Sequence, residues 1–153
     1  MDNSSQYSIG SILSVNVGSQ KGQKKHNIGT CLLVEGLGLE GDAHAGMEIR
    51  QVSLLARESI EKIRARGLDV SYGDFAENLT TEGIIFHELP IGTRFRVGDT
   101  VTLELSQIGK VCHNRCAIFY QVGDCVMPRE GVFATVVTGG QVKVGDSITV
   151  LPA

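Results

Sequence analysis

Three of the chain's four cysteines fall within fourteen consecutive positions, at Cys112, Cys116 and Cys125. The basic side chains interleaved with or flanking these thiols are Lys110, His113, Arg115 and Arg129. A thiolate is the nucleophilic and metal-binding form of cysteine, and neighbouring cations favour it because they stabilise its negative charge. Residues 109–129 are therefore predicted to supply a soft metal ligand or a sulfur nucleophile.

The length and the cysteine spacing indicate one folded domain in a reducing compartment. A chain of 153 residues can bury roughly two thirds of its unfolded surface in a single core. Its cysteines are unevenly spaced, with Cys31 far from the others, unlike the disulfide framework of a small secreted protein. We predict a single domain over residues 1–153, located in the cytoplasm.

The N-terminal residues and the overall charge restrict the expected partners. Residues 1–15 have no positively charged start and no long apolar run, so neither a signal peptide nor a membrane anchor is expected. A net charge of -3 and the absence of tryptophan disfavour nucleic-acid binding, which typically uses a basic surface with exposed aromatic residues. The predicted partners are small molecules or proteins, with no nucleic acid and no membrane.

The rest of the chain is typical of a β protein with many tight turns. Nineteen glycines and only three prolines separate short apolar runs. Alternating patterns predict half-buried strands at residues 12–17 (ILSVNV) and 101–106 (VTLELS). The tripeptide Val-Gly-Asp occurs at residues 97–99, 122–124 and 144–146, where it predicts turns before strands. The lysine-rich run at residues 21–26 (KGQKKH) is predicted to be a solvated hairpin tip.

One segment has a helical period. Residues 53–66 (SLLARESIEKIRAR) place apolar side chains on one face and end before Gly67. Glu58 and Lys62 are four residues apart, and the Ser53 hydroxyl is predicted to cap the first turn. We therefore expect an amphipathic helix of about four turns, placed as a lid or plug on a barrel.

Four further segments occur in an order that resembles the MOSC domain, which is found at the C-terminus of molybdenum cofactor sulfurases and in small stand-alone bacterial proteins. They are residues 38–46 (GLEGDAHAG), 50–55 (RQVSLL), 73–84 (GDFAENLTTEGI) and 89–112 (LPIGTRFRVGDTVTLELSQIGKVC). The C-terminal run at residues 131–151 is similar to the closing strands of the family. The resemblance thus covers nearly the whole chain.

The resemblance implies a mainly β fold: a MOSC-type β-barrel with one amphipathic helix and a few short helices. It also implies that Cys112 carries sulfur or ligates the molybdenum of the molybdenum cofactor (molybdopterin). Two features depart from the family pattern, since Val111 stands where many members have proline and a second thiol follows at Cys116. The longer sulfurases carry a pyridoxal-phosphate domain, for which this chain has no room, so any persulfide sulfur must come from another protein.

The thiols have structural as well as functional interpretations. In the functional interpretation, the Cys112 thiolate is a soft ligand that suits molybdenum, and the positive charges of Lys110, His113 and Arg115 favour the thiolate form. In the structural interpretation, Cys112 is a buried thiol that packs as a small apolar side chain. Cys116 and Cys125 either resolve a disulfide or persulfide at Cys112, join a metal site, or fill the core. Cys31 lies in a strand-like run and is expected to be a core residue.

Four other residues are candidates for binding the cofactor, each with a structural alternative. His44 lies in a glycine-rich turn that a ligand can approach closely, and Asp42 could orient its imidazole. The structural alternative is an exposed His44, with the Asp42 side chain bonded to the turn backbone. Arg50 and Ser53 flank the expected start of the helix, where a phosphate can bind. The structural alternative is a solvated Arg50 and a Ser53 that serves as the helix N-cap. Asn78, with Glu77, either recognises the pterin edge or fixes its own loop.

Three functions compete on this basis. The leading hypothesis is a module that binds molybdenum cofactor or carries its sulfur, with cofactor biosynthesis proteins, a sulfur-donating desulfurase or a molybdoenzyme as partners. The second is a molybdenum-dependent reductase of N-hydroxylated compounds, as some relatives suggest, which would need external electron donors. The third is a zinc or scaffold module, which is disfavoured because adjacent Cys112 and His113 cannot easily reach one tetrahedral ion.

Overall fold

The computed structural model describes residues 9–20, 23–43, 45–109 and 130–152. In order along these residues, the strands are β1 (Ile9–Val17), β2 (His26–Asn27), β3 (Thr30–Val34), β4 (Gly38–Leu39), β5 (Val52–Ala56), β6 (Leu79–Glu82), β7 (Arg94–Val97), β8 (Val101–Ile108), β9 (Val132–Thr138), β10 (Gly140–Lys143) and β11 (Ser147–Val150). An α-helix, α1, spans Arg57–Arg64, and a short 3-10 helix spans Phe86–Glu88. The mainly β prediction is therefore confirmed.

Seven of these strands form a closed barrel in the order β1, β11, β7, β8, β9, β5, β6 and back to β1. The β5–β6 pair is parallel, whereas the other neighbouring pairs are antiparallel. The strand β2 pairs antiparallel with the C-terminal end of β1. The strands β10, β3 and β4 form a separate three-stranded sheet. Closure leaves these barrel strands without an unpaired edge, which would otherwise be exposed to pairing with other chains.

The barrel interior is filled by alternating apolar side chains. In β8, Val101, Leu103 and Leu105 are completely buried, as the sequence pattern predicts. The strand β1 is different, because a register irregularity between Ile12 and Ser14 interrupts its pairing with β6. Ser14 is then buried with its neighbour Val15, so the simple alternation predicted for this strand is wrong.

The helix begins four residues later than predicted. Residues 52–56 are β5, and α1 starts at Arg57, so Ser53 lies inside a strand and does not cap a helix. The N-cap position is Ala56, which makes no side-chain capping bond. The reason is that Leu54 and Leu55 are both fully buried, Leu54 in the barrel core and Leu55 in a separate cluster with α1. Consecutive side chains point to opposite faces only in a strand, so this burial requires a strand at these positions.

The helix α1 covers the outer wall of the barrel rather than plugging its interior. Ile60 and Ile63 pack with Leu55, Val70 and Phe75 in a cluster separate from the barrel core. The helix also provides the crossover that a parallel pair requires, because it connects β5 to β6. Its last turn ends at Arg64, and Gly67 beyond it adopts a positive φ of 93°, as the predicted stop indicates.

The recurring Val-Gly-Asp tripeptides form turns before strands at two of their three positions. Gly98 (φ 61°) precedes β8, and Gly145 (φ 95°) precedes β11. The two turns lie close together, because the Gly98 amide donates to the Ser147 carbonyl at 2.8 Å. The third tripeptide, at residues 122–124, lies outside the described residues.

Closure of the barrel can be tested at Gly10, where β1 lies between β11 and β6. A Cβ atom at Gly10 would lie 2.2 Å from the Glu82 carbonyl oxygen. We expect Gly10→Ala to lower the free energy of unfolding by about 1–3 kcal/mol, since backbone must move to accommodate the methyl group. Urea denaturation measures this, with Ser11→Ala as the control in the same strand. Equal stability of Gly10→Ala and wild type would contradict the close packing.

Candidate functional site

The barrel brings the two ends of the thiol-bearing segment together. The Gly109 amide donates to the Gly131 carbonyl oxygen at 2.6 Å, and Ile108 pairs with Val132 where β8 and β9 meet. The predicted site residues Lys110, Cys112, Arg115, Cys116 and Cys125 lie between these ends, outside the described residues. The described structure therefore fixes where this segment leaves and rejoins the barrel.

The returning end of the segment is attached to α1 through Glu130. One carboxylate oxygen accepts a hydrogen bond from the Ser59 hydroxyl at 2.5 Å, and the other from the Lys62 ammonium at 2.7 Å. Burial raises the pKa of Glu130, but these two bonds and the charge of Lys62 outweigh it, so the pKa lies below its ordinary value. Sequence reasoning did not identify Glu130 as a contact of α1, because nothing local indicates this long-range pairing.

Arg50 lies beside the outgoing end of the segment. Residues 47–50 and Gln107 line a pocket of about 340 Å³, and the Ser106 hydroxyl donates to the Ile49 carbonyl. The Gln107 side chain in turn donates to the Gly109 carbonyl at 2.9 Å. Arg50 is exposed, which suits an anion ligand, but it is not near a helix start as predicted, because α1 begins seven residues later.

The loop that contains His44 is anchored by a buried ion pair. The Asp42 carboxylate lies 2.6 Å from the Lys25 ammonium, and both side chains are completely buried. Asp42 also accepts a hydrogen bond from the Gly18 amide at 3.0 Å, and the Ala43 amide donates to the Gly18 carbonyl. His44 itself lies outside the described residues, so its predicted contact with Asp42 stays a prediction.

The burial of Lys25 corrects the prediction for the lysine-rich run. The sequence predicts that Lys25 lies on a solvated hairpin tip, yet only 2% of its surface is exposed. Its amide donates to the Gly73 carbonyl at 2.9 Å, which draws the run against the loop before β6. A lysine is stable there because Asp42 compensates its charge.

Ser53 and Asn78 bond to each other in the barrel wall. The Asn78 side-chain oxygen accepts from the Ser53 amide at 2.9 Å and lies 3.2 Å from the Ser53 hydroxyl. Its side-chain nitrogen donates to the Asn16 carbonyl at 3.1 Å. Both residues are fully buried, and the contacts of Asn78 support its structural alternative. Ser53 has a structural role within β5 and not as the predicted cap, and contact of either residue with a cofactor stays a prediction.

Glu77 shapes the loop that precedes β6. Its buried carboxylate accepts from the Gly73 amide at 2.8 Å, the Phe75 amide at 3.2 Å and the Thr80 hydroxyl at 2.7 Å. Burial raises the pKa of Glu77, and these three donors only partly offset that effect. The geometry agrees with the structural alternative, in which Glu77 fixes its own loop.

The described residues contain no cluster of three or more His, Cys, Asp and Glu side chains that could hold a metal ion. Cys31 is buried in β3, as predicted, and desolvation raises its thiol pKa. No helix in the described part of the chain is long and apolar enough to cross a membrane.

Comparisons with known proteins agree with this architecture. The family model described as the MOSC domain matches residues 40–149. The YuaD protein from Bacillus subtilis is 17% identical with a TM-score of 0.79, covering 93% of this chain and 95% of that chain. YiiM from Geobacillus stearothermophilus is 18% identical with a TM-score of 0.70, covering 94% of this chain and 75% of that chain.

A second YiiM structure, from Escherichia coli, is 20% identical with a TM-score of 0.63, covering 94% of this chain and 69% of that chain. At such identities these structures show the fold alone. No curated protein matches the chain at a significant level.

The ion pair below the His44 loop can be tested by removing one charge. We expect Asp42→Asn to lower the free energy of unfolding by about 3–5 kcal/mol, because it removes the carboxylate charge that lies against the buried Lys25 ammonium. Adding Lys25→Met to this variant should restore part of the loss, since the Asn oxygen still accepts from Gly18. Denaturant unfolding at neutral pH measures both, with exposed Asp99→Asn as the control. A double variant no more stable than Asp42→Asn would contradict the pairing.

The buried carboxyl of Glu77 predicts a pH dependence of stability. Below its ordinary pKa of 4.5 the group is protonated in both folded and unfolded chains. Above that value the unfolded chain loses this proton first, so the contribution of Glu77 to stability falls as pH rises through its raised folded pKa. Unfolding free energies of wild type and Glu77→Gln should therefore show a wild-type advantage that shrinks from acid to neutral pH. An advantage that is constant or grows with pH would disprove this.

Proposed function

Because the chain belongs to the MOSC domain family, we propose that it binds molybdenum cofactor, or carries sulfur destined for it, on the segment between Gly109 and Glu130. The family is associated with this cofactor in general. The observation that carries the proposal is the hydrogen bond between Gly109 and Gly131, which joins the two ends of the segment at the barrel. A thiol segment held this way is presented by a rigid support.

Chain length limits how far the reactive thiol can lie from this support. Cys112 follows Gly109 by three residues, so their Cα atoms are at most about 11 Å apart. The pocket that contains Arg50 adjoins the same end through Gln107, whose side chain bonds to the Gly109 carbonyl. The proposed site therefore combines Cys112 with Arg50.

The donor types fit the chemistry of the cofactor. A thiolate at Cys112 is a soft ligand suited to molybdenum, and the planar guanidinium of exposed Arg50 can bind the pterin phosphate through paired donors. Lys110 and Arg115 are further proposed cofactor-binding residues on the strength of their charge. When bound, the metal would supply the redox chemistry, and the chain would hold and orient the cofactor.

In the sulfur-carrying form of the proposal, another protein supplies the sulfur. The Cys112 thiolate attacks the outer sulfur of a donor persulfide, a new S–S bond forms, and the donor leaves as its own thiolate. Cys116 and Cys125 are placed in the same segment as candidates to resolve the resulting persulfide. A desulfurase as donor and a cofactor biosynthesis protein or molybdoenzyme as acceptor are the proposed partners, and a cytoplasmic location is part of the proposal.

The proposal predicts that molybdenum and pterin co-purify with the chain from cells that make the cofactor. We expect Cys112→Ser to lower the molybdenum content by about tenfold or more, because a hydroxyl is a poor soft-metal ligand. Cys31→Ala is the matched control, since this thiol is buried in β3, and it should keep the wild-type content. Metal analysis and pterin fluorescence are the measurements.

Arg50→Gln tests the second proposed contact in the same preparation. It should reduce pterin retention without unfolding the protein, since Arg50 is exposed. If wild type carries neither molybdenum nor pterin, and Cys112→Ser also leaves molybdoenzyme activity in the cells unchanged, the proposed function is wrong.

A further inference from the structure

A second and larger cavity lies beside α1. It has a volume of about 440 Å³ and separates α1 from the connection at residues 83–88, with Glu130 at one side. Its apolar floor consists of Ile84 and Phe86, which are almost completely buried and belong to the barrel core, and of Ile85, which is 39% exposed. The Phe86 ring packs edge-on against Phe95, with centroids 5.2 Å apart and planes at 79°.

The charged side chains that line this cavity are predominantly acidic. They comprise three carboxylates, those of Glu58, Glu88 and Glu130, and one lysine, Lys62, and the titratable side chain of His87 also lines the cavity. Lys62 is already paired with Glu130 at 2.7 Å. Glu58 and Glu88 are both exposed, and Glu58 uses one oxygen to accept from the Gly83 amide at 2.9 Å. The described lining therefore has an excess of negative charge at its rim.

We propose that this cavity binds a small organic cation: a protonated amine attached to an aromatic or aliphatic body. The body packs mainly on Ile85, the exposed apolar side chain of the lining, and on the accessible edges of Ala56 and Phe86, where it buries apolar surface. The ammonium group remains at the rim near Glu58 and Glu88, partly hydrated and attracted by their charge. Binding there requires neither molybdenum nor a thiol, so the proposal goes beyond the proposed function and does not rest on it.

Other ligand classes fit the lining less well. An anion would meet the carboxylates of Glu58 and Glu88, while Lys62, the lysine of the lining, already compensates Glu130. A metal ion would need converging ligands, and the described residues contain no such cluster. A neutral apolar ligand would use the floor but gain nothing from the rim, which makes charge the property that distinguishes the proposal.

The experiment compares three ligands that share one ring and differ in charge: benzylamine, benzyl alcohol and benzoate. Each is titrated into the full chain at low ionic strength and neutral pH, and the amide NMR signals of residues 83–88 and α1 are followed. We expect saturable shifts of these signals with benzylamine, and a dissociation constant at least about fivefold lower than for benzyl alcohol, the range that one or two exposed charge pairs provide. Benzoate should bind more weakly than benzyl alcohol.

Two variants connect this preference to the rim. The double variant Glu58→Gln/Glu88→Gln should remove most of the preference for benzylamine while leaving benzyl alcohol unchanged, because the amide introduced at position 58 retains an oxygen that accepts from the Gly83 amide. Glu104→Gln is the control, since Glu104 lies in β8 and pairs with Arg94 away from the cavity. The proposal is overturned if benzylamine shows no saturable shifts, if benzyl alcohol or benzoate binds as tightly, or if the double variant keeps the wild-type preference.

Discussion

The hydrogen bonds between Ser53 and Asn78 are the constraint on which the rest of this structure depends. They join β5 to the start of β6, the parallel pair of the barrel, and Asn78 extends the connection to Asn16 in β1. A parallel pair obliges the chain to leave the wall, form α1 and return. The return loop buries polar backbone against the barrel: the Glu77 carboxylate accepts from the Gly73 and Phe75 amides, and the Ser53 hydroxyl accepts from the Asn78 amide. The Glu130 attachment and the cavity beside α1 both depend on the position of that helix.

Features that depend on local periodicity could be read from the sequence. The alternation of Val101, Leu103 and Leu105 predicts β8 because each apolar side chain faces one side of the sheet. The Val-Gly-Asp turns are local in the same sense, since glycine supplies the positive φ at Gly98 and Gly145. The family resemblance gave the barrel, which no single periodic segment could establish, because closure depends on pairing between β1 and β11 at opposite ends of the chain.

Features that depend on long-range contacts could not be read in this way. Ser53 looks like a helix cap because serine before an apolar run is ambiguous until the partners of Leu54 and Leu55 are known. Lys25 looks solvated until Asp42, seventeen residues away, is placed against it. Glu130 gave no sequence signal because its partners, Ser59 and Lys62, are about seventy residues distant. Of the predicted site, Arg50 shares a pocket with Gln107 near the described end of β8, whereas Ser53 and Asn78 lie inside the wall.

A double-mutant cycle on Ser53→Ala and Asn78→Ala, measured as free energies of unfolding in denaturant, tests this account most directly. Each single variant leaves buried polar groups without partners and should cost about 1–3 kcal/mol. Because the two side chains share their bonds, the double variant should cost less than the sum of the singles, with a coupling energy of about 0.5–3 kcal/mol. Additive effects, or single variants as stable as wild type, would show that the barrel does not depend on this pair.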